Sequence, residues 1–269
     1  MATAWGKSQE KKKGAEEAPP KKTVEFTRLD PSMTTKKLKV AVHGMQKTGK
    51  TRFCMSAPGP VYFILTEPGV KPLARLFPDK EIYFVDVYEP DYTGTFEVEP
   101  TKTLENIDEA VKLIRKKALE DPKSVITVVV DSVSDIWKWV QEWMKEDILK
   151  IDKTARVKQQ WDWGHANTKY QNILMQLISL PCHVILTGQD REEYVAAGSP
   201  SGETVPRWQK QTPYWVDIII KMYKQTQQMG GLKYYGKIED CRHMDADMKP
   251  IAGEIVENID FDKLMAKVK

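Results

Sequence analysis

The segment GMQKTGKT at residues 44–51 carries the clearest chemistry in the sequence. It matches the pattern G-x-x-x-x-G-K-[ST] completely. Gly44 and Gly49 let the backbone turn tightly enough for its N–H groups to surround a phosphate. Lys50 is expected to reach the β- and γ-phosphates, and the Thr51 hydroxyl to bind Mg²⁺. The expected nucleotide-binding residues are Gly44, Met45, Gln46, Lys47, Thr48, Gly49, Lys50, Thr51 and Arg52.

Asp131 provides the carboxylate that a bound Mg²⁺ requires. It ends the run VITVVVD, and an acid at the end of a strand beside the phosphate loop can hold the metal's water shell. The alternative is an ordinary cap of the helix that begins near Ser132. Asp135, one turn further on, is expected to be a solvated residue of the first helical turn.

Two further residues at strand ends are candidates for the chemistry of hydrolysis. Glu67 follows the strand after the phosphate loop and is placed to act as a general base, although it could also cap the turn at Pro68-Gly69. Gln189 ends a later strand, where its side chain could touch the γ-phosphate and report its loss. Structural hydrogen bonding is an equal alternative for Gln189.

Short apolar runs alternate with helical patterns and would position these residues. Runs of β-branched and aromatic residues without strict alternation indicate strands covered on both faces. Strands are predicted at 38–44, 61–67, 81–88, 125–131, 182–189 and 216–224, and helices at 50–56, 104–120, 133–149 and 163–179. The pattern predicts an α/β fold with a mostly parallel sheet flanked by helices and a small C-terminal β extension.

Length and composition limit the class of protein. The chain has 269 residues, 41% of them hydrophobic, which is enough for a core. No run approaches the length of a membrane span, and the first residues contain no apolar signal segment. Three widely spaced cysteines form no disulfide framework and favour a reducing cytoplasm.

The net charge of +3 is unevenly distributed. Residues 1–39 carry ten basic residues and five acids, a charge of +5, which leaves −2 for residues 40–269. Residues 1–35 are interpreted as a disordered, lysine-rich tail and linker, and residues 36–269 as one ATPase-sized domain. The tail could contact nucleic acid, but a solvated leader that aids solubility is the plainer interpretation.

Taken together, GMQKTGKT, Glu67, VVVDS at 128–132 and LTGQDREE at 186–193 resemble the RecA-like P-loop ATPases. The segments WDWGHANTKYQNILMQLISLPCHVILTGQ, PYWVDIIIKMY and FDKL are similar to the phage-type ATPases of single-strand annealing and recombination. The resemblance implies a RecA-like core that uses ATP and Mg²⁺, forms homo-oligomers on single-stranded DNA, and has Glu67 as base and Gln189 as sensor. The sequence departs from the family at FTRL, residues 26–29, where the alanine of the F-x-x-A polymerisation motif is missing.

Two segments are candidates for contact with DNA or with a neighbouring subunit. The first carries Lys150, Lys153, Arg156 and Lys158 and is followed by Trp161 and Trp163, a combination that can follow a nucleic-acid backbone and stack bases. The second, residues 192–215, is rich in Gly, Ser and Pro and is expected to be a mobile loop. Its Arg207 and Lys210 could reach a neighbour's ATP site. Solvated surface roles are the alternatives for all of them.

The sequence is compatible with three classes of function. A DNA-stimulated RecA-like ATPase is the leading hypothesis. A small-molecule or nucleotide kinase shares the phosphate loop but should carry an arginine-rich lid, whereas only three arginines lie late in the chain. The third class is a nucleotide-gated assembly factor with slow hydrolysis.

Overall fold

Valine- and isoleucine-rich runs form the centre of a sheet in the computed structural model, which describes residues 37–67, 69–90, 97–194, 198–227, 230–245 and 247–268. Its first five strands are β1 (Lys39–Gly44), β2 (Val61–Leu65), β3 (Ile82–Asp86), β4 (Thr127–Asp131) and β5 (His183–Tyr194). Within this group, each pair of neighbouring strands is parallel. The central strands β1, β2 and β4 are almost wholly buried, which explains why their sequences do not alternate.

The sheet continues through the C-terminal part of the chain. Strand β7 (Ile218–Thr226) pairs in parallel with β1, whereas β8 (Leu232–Cys241) and β9 (Ile255–Glu257) follow antiparallel. The order is β3-β2-β4-β5-β1-β7-β8-β9, with a further strand, β6 (Pro200–Pro206), paired to β5. The six predicted strands are therefore confirmed. The expected β extension is an outer part of the same sheet.

Helices cover both faces of the sheet, as expected for a P-loop core. They are α1 (Lys50–Ser56), α2 (Pro100–Glu120), α3 (Val133–Trp143), α4 (Trp163–Ile178) and α5 (Phe261–Lys267). Side chains of α2, α3 and α4 form one hydrophobic cluster with the sheet, and those of α1 and α5 form the other. Short 3₁₀ segments occur at Lys71–Leu76, Gln160–Asp162 and Thr212–Trp215. Across the described ranges, no helix is both long and apolar enough to cross a membrane.

Two predicted boundaries differ from the structure. The helix predicted over 133–149 is α-helical only to Trp143, and a π-helical turn, Met144–Ile148, follows it. The segment 192–215 was expected to be a mobile loop, but β5 extends to Tyr194 and pairs antiparallel with β6 (Pro200–Pro206). The β-branched pair Thr204 and Val205 lies opposite Glu192 and Arg191 in this hairpin. Residues 195–197, between its strands, lie outside the described part of the chain.

The prediction of a disordered tail falls on residues 1–35, which are outside the described residues, as is the FTRL segment. Residues Lys36–Lys269 group together as one unit. One domain for this part of the chain is compatible with the continuous sheet, which runs from β3 to β9.

Candidate nucleotide site

The phosphate loop connects the end of β1 to the first turn of α1. Gly49 and Lys47 have positive φ angles of 98° and 59°, so the loop uses backbone conformations that favour glycine. A Cβ added to Gly44 would lie 2.2 Å from the carbonyl oxygen of Met222 on β7. Only glycine therefore fits where the chain leaves β1.

The Lys50 ammonium lies over the carbonyl side of this loop. Its Nζ donates to the Gly44 oxygen at 2.8 Å and to the Met45 oxygen at 2.9 Å. Burial lowers the pKa of Lys50, while the carboxylates of Asp131 and two other acids oppose that shift. A phosphate bound in the loop would offer this half-buried cation stronger, charged acceptors than the two carbonyls.

Thr51 and Asp131 meet as the expected pair of Mg²⁺-holding residues. The Thr51 Oγ1 donates to Asp131 Oδ2 at 3.0 Å, and Thr187 Oγ1 donates to Asp131 Oδ1 at 2.5 Å. A hydroxyl and a carboxylate are the hard oxygen ligands that Mg²⁺ prefers, and the ion completes its shell with water and nucleotide phosphates. No cluster of three or more His, Cys, Asp or Glu suited to a metal occurs among the residues that the structure describes. The oxygen atoms of Thr51 and Asp131 therefore fit a metal ion that binds together with its nucleotide.

Glu67 follows the end of β2, and the two side chains Glu67 and Gln189 meet across the end of β4. Gln189 does not end its strand, as the sequence predicted, but lies inside β5 at the last residue that pairs with β1, because β5 continues to Tyr194 in the hairpin with β6. The Gln189 amide nitrogen donates to Glu67 Oε1, and the Gln189 backbone N–H donates to Ser134 Oγ at 2.9 Å. Burial raises the pKa of Glu67, and the carboxylates of Asp135 and Asp131 raise it further. The structure thus brings together the two residues that the sequence predicted for hydrolysis and sensing.

Asp135 does not have the solvated position expected from the sequence. Its Oδ2 lies 2.7 Å from Thr66 Oγ1 and accepts a hydrogen bond from Ser132 Oγ at 2.7 Å. The Ser132 backbone N–H also donates to Thr66 Oγ1 at 2.7 Å. This cluster fixes the start of α3 against the end of β2. The prediction was wrong because Thr66, the partner that partly buries Asp135, is 69 residues away.

A cavity of about 680 Å³ adjoins the phosphate loop on the side of α1. Beyond the loop residues it is lined by Leu73, Phe77, Tyr234, Asn258 and Asp260. A volume of this size lies within the range of small-ligand pockets. Sequence reasoning missed these five residues because they lie far from the loop along the chain. Leu73 and Phe77 come from the 3₁₀ segment after β2 and the residue that follows it, Tyr234 comes from β8, and Asn258 and Asp260 come from the connection between β9 and α5.

The predicted nucleic-acid residues differ in their surroundings. Lys150, Arg156 and Lys158 are exposed. Lys153 is only partly exposed and forms an ion pair with Glu97. The structure therefore does not present the four cations as one equivalent set.

The exposed indole of Trp161 lies near the same segment. Its exposed fraction is 76%, and together with Trp143 and Lys169 it lines a shallow cavity. On the β5–β6 side, Arg207 and Lys210 are exposed, as a trans-acting role requires. The Arg207 backbone N–H donates to the Gln189 oxygen at 2.8 Å, which ties this segment to the candidate sensor.

The phosphate loop, with its metal-holding pair and its acid at the carboxyl edge of a parallel sheet, defines a P-loop nucleotide-binding domain. A model of the AAA domain family matches residues 36–247, a range that includes every candidate catalytic residue. The chain belongs to this AAA domain family, a membership that indicates ATP binding and hydrolysis, usually with Mg²⁺. Comparison with curated proteins finds no significant match.

Proposed function

We propose that the chain is a Mg²⁺-dependent ATPase that acts on single-stranded DNA in recombination or strand annealing. The contact between Glu67 and Gln189, beside the phosphate loop, carries the proposal. It combines a carboxylate that can accept a proton with an amide on the strand that leads into the β5–β6 hairpin. A site that only bound nucleotide would need neither.

Each residue of the site has a separate task in hydrolysis. Lys50 would hold the β- and γ-phosphates, while Thr51 and Asp131 would hold a Mg²⁺ ion that neutralises the charge developing on them. Glu67 accepts the proton of the attacking water. A carboxyl group whose pKa is raised toward neutrality is a better base for this step than an ordinary surface glutamate.

The cavity beside α1 supports a nucleoside triphosphate as the substrate. It begins at the phosphate loop, and Tyr234 and Phe77 provide aromatic side chains at which a base could stack. Polar groups of Asn258 and Asp260 are available to contact the sugar or the base edge. A lone phosphate would leave most of this space unused.

The nucleic-acid part of the proposal is supported by the RecA-like resemblance and by exposed cations. Lys150, Arg156 and Lys158 are free to follow a phosphate backbone, and Trp161 is exposed enough to stack a base. We further propose a cytoplasmic homo-oligomer in which Arg207 and Lys210 reach a neighbour's ATP site. Such trans contacts would make hydrolysis depend on assembly.

The test is ATP turnover with and without single-stranded DNA at low salt, together with DNA binding under the same conditions. We expect stimulation by DNA, and we expect Asp131→Asn to abolish turnover. Glu105→Gln, which changes an exposed acid on α2, should leave turnover unchanged. The absence of both ATPase stimulation and DNA binding at low salt would refute the DNA role. Transfer of phosphate to a nucleoside acceptor would identify a kinase instead.

A further inference from the structure

His43 lies between two carboxylates at the base of the phosphate loop. It is 1% exposed and directly precedes Gly44. Its Nδ1 is 2.8 Å from Asp190 Oδ1, and its Nε2 is 2.9 Å from Glu239 Oε2. Trp208 packs edge-on against the imidazole, with ring centroids 5.2 Å apart.

Both hydrogen bonds exist together only if the ring carries two N–H groups or one carboxyl is protonated. A neutral imidazole has a single donor. Burial opposes a charge on His43, but the hydrogen bonds to Asp190 and Glu239 outweigh it and raise the pKa. The pKa of Asp190 is lowered by His43 against the effect of its own burial. The geometry therefore fits an imidazolium between two carboxylates.

The carboxylates extend this contact to other strands. Asp190 directly follows the candidate sensor Gln189, and its second oxygen accepts from Thr204 Oγ1 at 3.0 Å. Thr204 belongs to β6, and its carbonyl accepts from Lys221 of β7 at 3.2 Å. The contacts of His43 thus join the end of β1 to the β5–β6 hairpin, while Glu239 joins it to β8.

We propose that His43 is a positioning residue that couples the phosphate loop to the β5–β6 hairpin through Asp190 and Thr204. The proposal rests on the proposed nucleotide site. Movement of Gln189 with the nucleotide state must shift Asp190, the next residue of the same strand. Asp190 is held both by His43 and by Thr204. A shift of Asp190 therefore reaches the β5–β6 hairpin, which Arg207 directly follows.

Other charged groups surround this network and contribute to its titration. Asp190 and Glu239 face the imidazole, and Lys221 lowers the pKa of both carboxyls. Lys237 acts on Glu239, and Asp190 also acts on Lys50 of the phosphate loop. The contribution of His43 to the free energy of unfolding is complete below its ordinary pKa of about 6.5 and is lost as pH rises through the raised pKa in the folded protein. The contribution of Asp190 and Glu239 to the same free energy is lost as pH falls through their lowered pKa values.

Hydrogen exchange of the hairpin with and without a non-hydrolysable ATP analogue and Mg²⁺ tests the coupling. In the wild type, the saturating analogue should slow exchange in residues 190–206 at least fivefold. Thr204→Val removes only the hydroxyl link, so the analogue should bind within threefold of the wild-type affinity while the hairpin response becomes clearly smaller; the backbone bond from Arg207 to Gln189 remains. Thr226→Val, at the exposed end of β7, is the matched control and should keep the response.

His43→Gln adds a readout that a purely structural role would not alter. The variant cannot carry the charge, and its hairpin response should be smaller than that of the wild type at pH 7 and should not change with pH. In the wild type the response should fall as pH is raised from 7 to 9.5, at saturating analogue throughout. ¹⁵N spectra should show both ring nitrogens of His43 protonated at pH 6, below the ordinary pKa of histidine, assigned by the signal that His43→Gln removes.

The outcomes separate the coupling from the nucleotide site. If the wild type does not bind the analogue, the proposed function fails, and the coupling fails with it. If the analogue binds but the hairpin does not respond, or responds equally in Thr204→Val and wild type, only the coupling is overturned. If His43→Gln does not fold, the Thr204→Val comparison still decides.

Discussion

Replacing Glu67 by glutamine is the sharpest test of the proposed chemistry. Glutamine keeps the size of the side chain and can keep a hydrogen bond to Gln189, but it cannot accept the proton of water. General-base catalysis contributes roughly 10²–10⁴-fold, so the barrier should rise by about 3–5 kcal/mol. Because Asp131 and Asp135 disfavour the ionised form of Glu67, removing its charge should not weaken ATP binding or the fold.

The assay pairs single-turnover phosphate release with binding of a fluorescent ATP analogue. We expect Glu67→Gln to lose at least 100-fold in rate, with affinity within threefold of wild type and thermal stability equal or higher. The acid limb of the wild-type pH profile should lie above the ordinary glutamate value of 4.5 and should vanish in the variant. Glu105→Gln, an exposed change on α2, is the control. A rate within threefold of wild type, or parallel losses of rate and affinity, would refute the assignment.

Three further predictions concern packing, nucleic acid and thiols. Gly188→Ala places a Cβ 2.6 Å from the Trp208 ring, so the free energy of unfolding in urea should fall by about 1–3 kcal/mol; no loss would contradict the packing described. Lys158→Ala should reduce the salt slope of single-stranded DNA binding by about 0.7, whereas Lys153→Ala, which removes a cation already paired with an acid, should leave it nearly unchanged. Iodoacetamide should modify Cys241 well before the two fully buried cysteines, as read by mass spectrometry of the folded protein; earlier modification of either would contradict their burial.

The parts of the site that the sequence predicted are those fixed by local spacing or by strand direction. The glycines and Lys50 of the phosphate loop follow from one eight-residue pattern. Glu67 and Asp131 lie at the ends of β2 and β4, and Gln189 lies in β5 level with the end of β1, so the three residues had to share one edge of the parallel sheet. Their meeting required only that β2, β4 and β5 be neighbours, which is the observed order.

The missed features depend on contacts between distant segments. Lys153 is paired with Glu97, 56 residues earlier, so its spacing among other basic residues could not show that it is engaged. The sequence did not predict strand β6 because its Gly, Pro and Ser residues have a weak strand propensity. Its conformation depends instead on pairing with the long strand β5. His43 stands in the apolar run before the phosphate loop, and nothing in that local sequence indicates its two carboxylate partners, which are 147 and 196 residues away.

The electrostatics of the site explain why the net charge of the chain says little about its ligands. Glu67, Asp131, Asp135 and Asp190 converge on the edge of the sheet where a triphosphate would bind, and by themselves they would repel it. The fold offsets this repulsion locally, with Lys50 held on the loop and an imidazolium at His43 against Asp190. Mg²⁺ held by Thr51 and Asp131 would supply the remaining positive charge. A polyanion can therefore bind beside a cluster of acids because cations lie at specific positions among them, whatever the total charge of the residues around it.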